Sequence, residues 1–348
     1  MPKLKIMKLK TLIKAIVYGI SAIVILVLIW WIYPARTPKI KSKNSIASLE
    51  YIAIGGVEQS VLIRSHNKEN PILLFMHGGP GMPMMYLAHE FQRPLEKNFT
   101  IVQWDRRGAG KTFARNVPNP QSMSVRQVIQ DAYDLIDTLT NRYNHDKVFL
   151  VGHSFGSYLS SIMVHEKPEM FHAYVSVGQV VDSHEAIKIQ KKFLIREAQN
   201  RGMDSLALEL ENGDEMYYEN WLFKFGAELK NSTSFLPLIL SGLQAPEYAL
   251  PEVSAVAKGS SFSSQHMKYN VLDSSILKSV KYYKIPVYFF AGKKDYTTPF
   301  ELVERYFNQI QAPRKELIYF ENSAHFPFFE EPDRFCVELE NVLLSSSY

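Results

Sequence analysis

The chain has 348 residues, 46% of them hydrophobic, which excludes a peptide scaffold and a disordered tail, since disorder needs few apolar residues and a high net charge. Its 39 Lys and Arg against 35 Asp and Glu give a net of +4, a weak pointer to nucleic acid or an anionic membrane surface. That average hides a split: residues 1–45 hold nine basic residues and no acid, so 30 basic residues face 35 acidic ones over 46–348, a net of −5. A basic leader thus precedes a mildly acidic globule, and the acidity of the globule argues against nucleic acid as a partner.

In the leader, Ala15 to Tyr33 is a run of 19 residues without a charge, rich in Ile, Val and Leu. As a helix rising ~1.5 Å per residue it is roughly 28 Å long, close to the ~30 Å hydrocarbon core of a bilayer. Trp30, Trp31 and Tyr33 close the run, where amphipathic rings favour the headgroup layer, and Pro34 stops the helix. The Tyr33-Pro34-Ala35-Arg36 junction offers no small-x-small cleavage site, so the expectation is an uncleaved, single-pass anchor in the lipid bilayer. Five lysines precede the span and four basic residues follow it. That slight positive-inside bias predicts a cytoplasmic N-terminus with the globule outside.

From residue 46 onward, strand-like and helix-like patterns alternate. Apolar, β-branched runs occur at Ser48–Ile54, Glu58–Arg64, Pro71–Met76, Phe99–Trp104, Lys147–Val151, Ala173–Val177, Ile285–Ala291 and Glu316–Phe320. Gly55-Gly56 between the first two predicts a hairpin; the later runs are short and continuous, as strands buried on both faces of a parallel sheet are. The clearest helix is Val125–Tyr143, with Val128, Ala132, Leu135, Ile136 and Leu139 in one stripe and Ser124 as its N-cap. Residues 182–281 break the alternation, with helical stretches rich in aromatic residues and Met but no strand. The expected fold class is an α/β, mostly parallel doubly wound sheet with an antiparallel leading hairpin and a helical lid insertion. Cys336 is the sole cysteine; it permits no intrachain disulfide or thiolate cluster, and its spacing to Leu339 and Leu343 predicts a small buried hydrophobe.

Gly152-His153-Ser154-Phe155-Gly156 follows the strand at Lys147–Val151 and opens an apolar helix closed by Pro168. In that setting Gly-x-Ser-x-Gly is a strained strand-to-helix turn that exposes a serine oxygen beside a helix N-terminus, and its glycines avoid collisions with neighbouring backbone. Ser154 is therefore the candidate nucleophile. A serine hydroxyl needs a histidine oriented by a carboxylate. Asp295 follows the strand Ile285–Ala291, and His325 follows the last strand. All three then lie beyond carboxyl ends of strands, the edge where open α/β sheets place their sites. Asp273 and Asp333 are the rival carboxylates, while His66, His145, His165, His172, His184 and His266 read as surface or helix-face residues.

His77-Gly78-Gly79-Pro80-Gly81 comes straight after the strand ending at Met76. Such a loop turns backbone N–H groups toward an acyl oxygen; Gly79, favoured over Gly78, and the N–H of Phe155 are the expected oxyanion donors. His77 is expected to order the loop. Asp105-Arg106-Arg107-Gly108-Ala109-Gly110-Lys111-Thr112 mimics a phosphate loop but has Asp105 where glycine is required, and it is expected to form a buried Asp105–arginine scaffold beneath the site. No His/Cys/Asp/Glu cluster has metal-ligand spacing, and no cofactor is expected.

These residues resemble the α/β-hydrolase superfamily, from about residue 46 to the end of the chain, and within it the proline iminopeptidase-like serine peptidases. His-Gly-Gly-Pro-Gly combined with the Asp-x-Arg-Gly-x-Gly-x-[Ser/Thr] segment carries the closer likeness. The resemblance implies an α/β-hydrolase core at 46–181 and 282–348 with a cap at 182–281; the leader at 1–45 lies outside it and departs from the family, whose members typically lack an N-terminal anchor. It implies a triad of Ser154, Asp295 and His325, with donors in the Gly78–Gly79 loop and Phe155. It further implies an aminopeptidase acting on short peptides, whose lid acids hold the substrate amine; Glu209, Glu211, Glu215, Glu219 and Glu247, near Tyr217, Tyr218 and Trp221, are the candidates. Proline iminopeptidases usually show Gly-Gly-Ser-Trp-Gly at the elbow, whereas His153 and Phe155 here match esterase-like members. A carboxylic-ester or lipid hydrolase with the same triad is thus the second reading, and a non-catalytic binding module the third.

Overall fold

The computed structural model describes residues 12–25, 34–213, 218–267 and 275–346. Eight strands form one sheet in the order β1-β2-β4-β3-β5-β6-β7-β8. They are β1 (Ile46–Ile54), β2 (Val57–Ser65), β3 (Ile72–Met76), β4 (Thr100–Asp105), β5 (Val148–His153), β6 (Phe171–Val177), β7 (Val287–Gly292) and β8 (Lys315–Phe320). All eight expected strands are present, with ends displaced by one or two residues. The leading hairpin is antiparallel, as is the β2–β4 pair; every other pairing is parallel.

Successive residues of the central strands point to opposite faces, so each strand feeds two cores. Leu74, Val102, Leu150 and Phe289 meet Val128, Leu135, Leu159 and Met163 on one side. Leu73, Phe75, Val151 and Phe290 meet Phe91, Phe335 and Leu339 on the other. The helices that supply these partners include α2 (Val125–Tyr143), which follows the short α1 (Gly110–Arg115), and α3 (Phe155–Glu166). As its sequence predicts, α2 is capped by Ser124, whose hydroxyl accepts the N–H of Gln127. Cys336 is buried, its thiol donating to the Phe91 carbonyl.

Between β6 and β7 the described residues form α4 (Ser183–Asn200), α5 (Asp204–Asn212), α6 (Tyr218–Lys224), α7 (Leu236–Gly242) and α8 (Leu250–His266), and no strand. Part of this insertion has a core of its own, in which Leu194, Leu206, Leu210 and Leu222 pack together. After β7 and β8 come α9 (Phe300–Gln309) and α10 (Pro332–Leu344).

In the leader, residues 12–25 are helical, with Ile16, Ile20 and Ile23 exposed. Among the described residues no helix is long and apolar enough to cross a membrane. Positions 26–33 of the expected span lie outside the described residues.

The sheet order fixes where a site can form. Chain progress reverses direction across the sheet between β3 and β5, because β4 lies on one side of β3 and β5 on the other. The crevice at such a switch point, beyond the carboxyl ends of the strands, is where α/β sheets bind ligands.

Candidate active site

The loops that leave β3 and β5 flank the switch point, and Ser154 sits on the second of them. Its φ of 53° and ψ of −123° are left-handed, an arrangement that costs a non-glycine residue of order 1–3 kcal/mol and persists only where surroundings enforce it. They do so here. A Cβ at Gly156 would stand 2.0 Å from the carbonyl oxygen of Met76, and one at Gly152 would stand 2.6 Å from Ser160 Oγ. The turn is therefore pressed against both β3 and α3, and Ser154 is left facing the crevice.

The β3 loop lies against this serine: a Cβ at Gly78 would be 3.1 Å from that of Ser154. The loop is held from below by Arg106, buried, whose Nη2 donates to the carbonyls of Gly78 at 3.0 Å and Pro80 at 3.1 Å. His77 contributes through Nδ1, which lies 2.9 Å from the Gly78 carbonyl. Burial, and then the Arg106 charge, push the His77 imidazole well below its ordinary value, which suits an ordering role. Gly79 and Phe155 both border the cavity beside Ser154, and Phe155 begins α3, where first-turn N–H groups point away from the helix.

Asp295 and His325 come together although 30 residues apart: His325 Nδ1 lies 2.8 Å from Asp295 Oδ2, both side chains buried. Thr298, which sequence patterns did not single out, donates its N–H to Asp295 Oδ1 at 2.8 Å and its hydroxyl to Oδ2 at 2.7 Å. Of the rivals, Asp333 is exposed in the first turn of α10, and Asp273 lies outside the described residues. Burial opposes a charge on His325, but the charge and hydrogen bond of Asp295, with Glu228 and Glu330 behind it, prevail and raise the imidazole to about 9. His153 packs on His325 with ring centroids 4.7 Å apart and contacts its carbonyl through Nε2. Burial, then the neighbouring imidazole, hold His153 well below its ordinary value.

A strap of the insertion locks this arrangement. The Ala227 carbonyl accepts the N–H of Tyr296 and the Glu228 carbonyl accepts that of His325, at 3.1 and 3.0 Å. Glu330 completes it, accepting the N–H of Lys230 at 2.7 Å, of Ala324 at 2.8 Å and of Phe326 at 3.3 Å. Glu228 and Glu330 were invisible as site residues in the sequence, where neither adjoins a motif.

One expectation needs correction. Asp105 pairs with no arginine; it accepts the Lys111 N–H at 2.8 Å and the Tyr248 hydroxyl, and burial raises it to about 7. Arg107 instead binds Asp131 at 2.6 Å, because the two arginines point to different layers. Of the candidate amine-binding acids, Glu247 is buried away from the crevice in contact with Arg93 and Thr37, and Glu209 and Glu211 are exposed. Glu215 and the Glu219 side chain lie outside what the structure describes, and so does Tyr217. Tyr218 lines the cavity, and so does Glu228, which was not among those candidates. Lys111, the lysine of the phosphate-loop mimic, is buried against Glu252 at 2.5 Å, and among the described residues no cluster of His, Cys, Asp and Glu could hold a metal ion.

Ser154 stands where two cavities meet, one of about 800 Å3 that also holds His325 and Glu228, the other of about 280 Å3 toward Gln179 and Pro299. A parallel sheet with a serine at a strained β5–α3 turn, a buried histidine–aspartate pair after β8 and β7, and a glycine loop after β3 is the architecture of an α/β hydrolase.

Comparison with known proteins agrees. The chain matches the family described as alpha/beta hydrolase fold over residues 71–332 and belongs to it. It is 30% identical over 306 residues to the probable aminopeptidase YbaC of Bacillus subtilis (strain 168), covering 85% of this chain and 96% of that one. It is 24% identical to a proline iminopeptidase of Heyndrickxia coagulans, covering 78% and 90%. A proline iminopeptidase-related protein from Thermus thermophilus shares the fold, with a TM-score of 0.60 at 16% identity over 86% of this chain and 98% of that one. The protein is a hydrolase that resembles the proline iminopeptidases.

Proposed function

We propose that the protein is a serine aminopeptidase of the proline iminopeptidase type, acting on short peptides through an acyl-enzyme. The observation that carries this reading is the 2.8 Å His325–Asp295 pair on the cavity that Ser154 borders. With Nδ1 held by Asp295, Nε2 of His325 takes the proton from Ser154 Oγ as that oxygen attacks the acyl carbon. The N–H groups of Gly79 and Phe155 bear the charge that develops on the acyl oxygen. Protonated His325 then gives its proton to the departing amine, and water activated by the same imidazole frees the acid. The helical insertion acts as the lid, and Glu228 on the cavity wall suits a substrate with a cationic N-terminus. The names of the two sequence relatives support the same substrate class.

A second reading, hydrolysis of a carboxylic ester or lipid by the same residues, is favoured by the size of the larger cavity, about 800 Å3, and by the Met82, Leu87, Phe235 and Val256 in its wall. The uncharged run Ala15–Tyr33 is read as a bilayer anchor with its N-terminus cytoplasmic and the catalytic part outside, to be checked by protease accessibility of sealed vesicles.

The decisive experiment is fluorophosphonate labelling of the purified chain with Ser154→Ala as control; a wild type that stays unlabelled ends the serine-hydrolase reading. Turnover of aminoacyl-arylamides is then compared with that of N-blocked arylamides and short esters. Blocking the amine should abolish turnover, whereas unchanged rates would select the ester reading.

A further inference from the structure

We propose that α7 (Leu236–Gly242) is a membrane-contacting element, which seats the mouth of the active-site cavity on an anionic lipid surface. The inference rests on the reading of the leader as a bilayer anchor. Within α7, Leu238 is buried and fastens the helix, while Leu236, Ile239 and Leu240 are 55%, 51% and 51% exposed. Spaced i, i+3, i+4, these three lie on one face. A contiguous outward stripe of large aliphatic side chains marks an interaction surface rather than scattered surface apolarity. The helix is firmly placed, since a Cβ at Gly242 would stand 2.6 Å from the Tyr86 ring.

The groove beside this stripe shares Leu236 and Leu240 with it, and its remaining lining carries Arg201, Lys224 and Lys230 among neutral residues, with no acidic residue. In a globule whose net charge is −5 over 46–348, a basic rim around an aliphatic tip is a local reversal. Aliphatic side chains for acyl tails and lysines for anionic headgroups are what an interfacial element needs. A second copy of the chain would bring the same positive rim against itself.

The leader meets the globule at the same place. Arg36 donates its N–H to the carbonyl of Pro246 at 2.8 Å, and the Thr37 hydroxyl donates to Glu247 at 3.0 Å. Pro246 follows α7 directly, through a turn in which the N–H groups of Gln244 and Ala245 return to Ser241 and Gly242 at 2.8 and 3.3 Å. The uncharged run ends three residues before Arg36, a length of chain that spans at most about 10 Å at ~3.5 Å per residue. An anchored leader therefore brings a bilayer to the end of the insertion where α7 exposes its aliphatic face. Phe235 and Ile239 also line the larger cavity, so a seated α7 opens that cavity at the interface.

The test uses the full chain in vesicles of phosphatidylcholine with phosphatidylglycerol. Leu240→Cys and Val117→Cys carry a nitroxide; Cys336 is buried, and the labelled wild type gives the background. Val117, 65% exposed, is the aqueous reference. Expected is a ratio of oxygen to nickel-complex collision rates severalfold higher at 240 than at 117, falling in Lys224→Glu. If the chain floats with the vesicles but the two positions give equal ratios, this inference is overturned and the anchor stands. If the chain does not float, the anchor reading fails and this inference with it. A ratio at 240 that is unchanged in Lys224→Glu overturns the role of the basic rim.

Discussion

Thr298 donates to both carboxylate oxygens of Asp295, by its N–H to Oδ1 and by its hydroxyl to Oδ2. Asp295 is thereby oriented from its own loop as well as by its contact with His325. Thr298→Val removes the hydroxyl donor, and a hydrogen bond to a charged group is worth about 1.5–3 kcal/mol, so kcat is expected to fall by about one to two orders of magnitude. Asp295→Asn, which leaves the wrong imidazole tautomer, should cost on the order of 10⁴ in kcat. Steady-state kinetics decide the matter: a Thr298→Val enzyme as fast as wild type would remove Thr298 from the site, and a near-normal Asp295→Asn enzyme would move the acid elsewhere.

The pH profile follows from the raised imidazole. A general base works deprotonated, so kcat/KM should rise with pH along a limb near 9, the value to which His325 is raised against its own burial, and not near the ordinary ~6.5. The sign for stability is the opposite. The folded state holds that proton more tightly than the unfolded state, so the stabilisation is complete below about 6.5 and is lost as pH climbs through about 9. Glu330 adds to the upward pull on His325; in Glu330→Gln the kinetic limb should move to lower pH. A limb that stays in place would show that Glu330 acts on the backbone alone.

Gly178 lies under the histidine ring, with φ at +58° and a would-be Cβ 2.9 Å from His325 Cε1. Gly178→Ala must either shift the ring or strain the turn, and overpacking of this kind costs about 1–3 kcal/mol. The expected outcome is a loss of kcat accompanied by a lower midpoint in urea, and full activity would mean that the ring has room to give.

Far from the chemistry, Glu96 is buried between Arg64 at 2.7 Å and Arg93 at 3.2 Å, with Gln92 donating to the same oxygen at 3.0 Å. Removing one partner of a buried ion pair leaves the other charge uncompensated, at about 3–5 kcal/mol. Glu96→Gln should therefore unfold at markedly lower urea while kcat/KM of the folded fraction is retained. An unchanged midpoint would show the cluster to be solvated in practice.

The sheet was legible because its strands are continuous apolar runs, and β3, β5, β7 and β8 each end in a loop bearing glycine, serine, aspartate or histidine. Local signals of that kind also placed α2 and its Ser124 cap. The supporting residues were not legible, for a physical reason. Glu228 and Glu330 act through contacts with chain segments distant in sequence or through backbone N–H groups, Thr298 bonds Asp295 from three residues along a loop that no motif marks, and a glutamate that clamps three amides looks in sequence like one that faces water. The expected Asp105–arginine pairing failed on direction, since consecutive arginines on a strand exit point to opposite layers. Asp273 and Glu215 fall where the structure describes nothing.

The strap at residues 227–230 sets a rule for how substrate can reach the serine. Because Glu228 holds the His325 amide and Ala227 that of Tyr296, the insertion cannot swing open at this edge without unfastening the loops that carry the histidine and the aspartate. A gate hinged there would disarm the enzyme each time it opened. On the proposed reading, substrate enters instead past α7 and α8, which border the cavity through Ile239 and Val256.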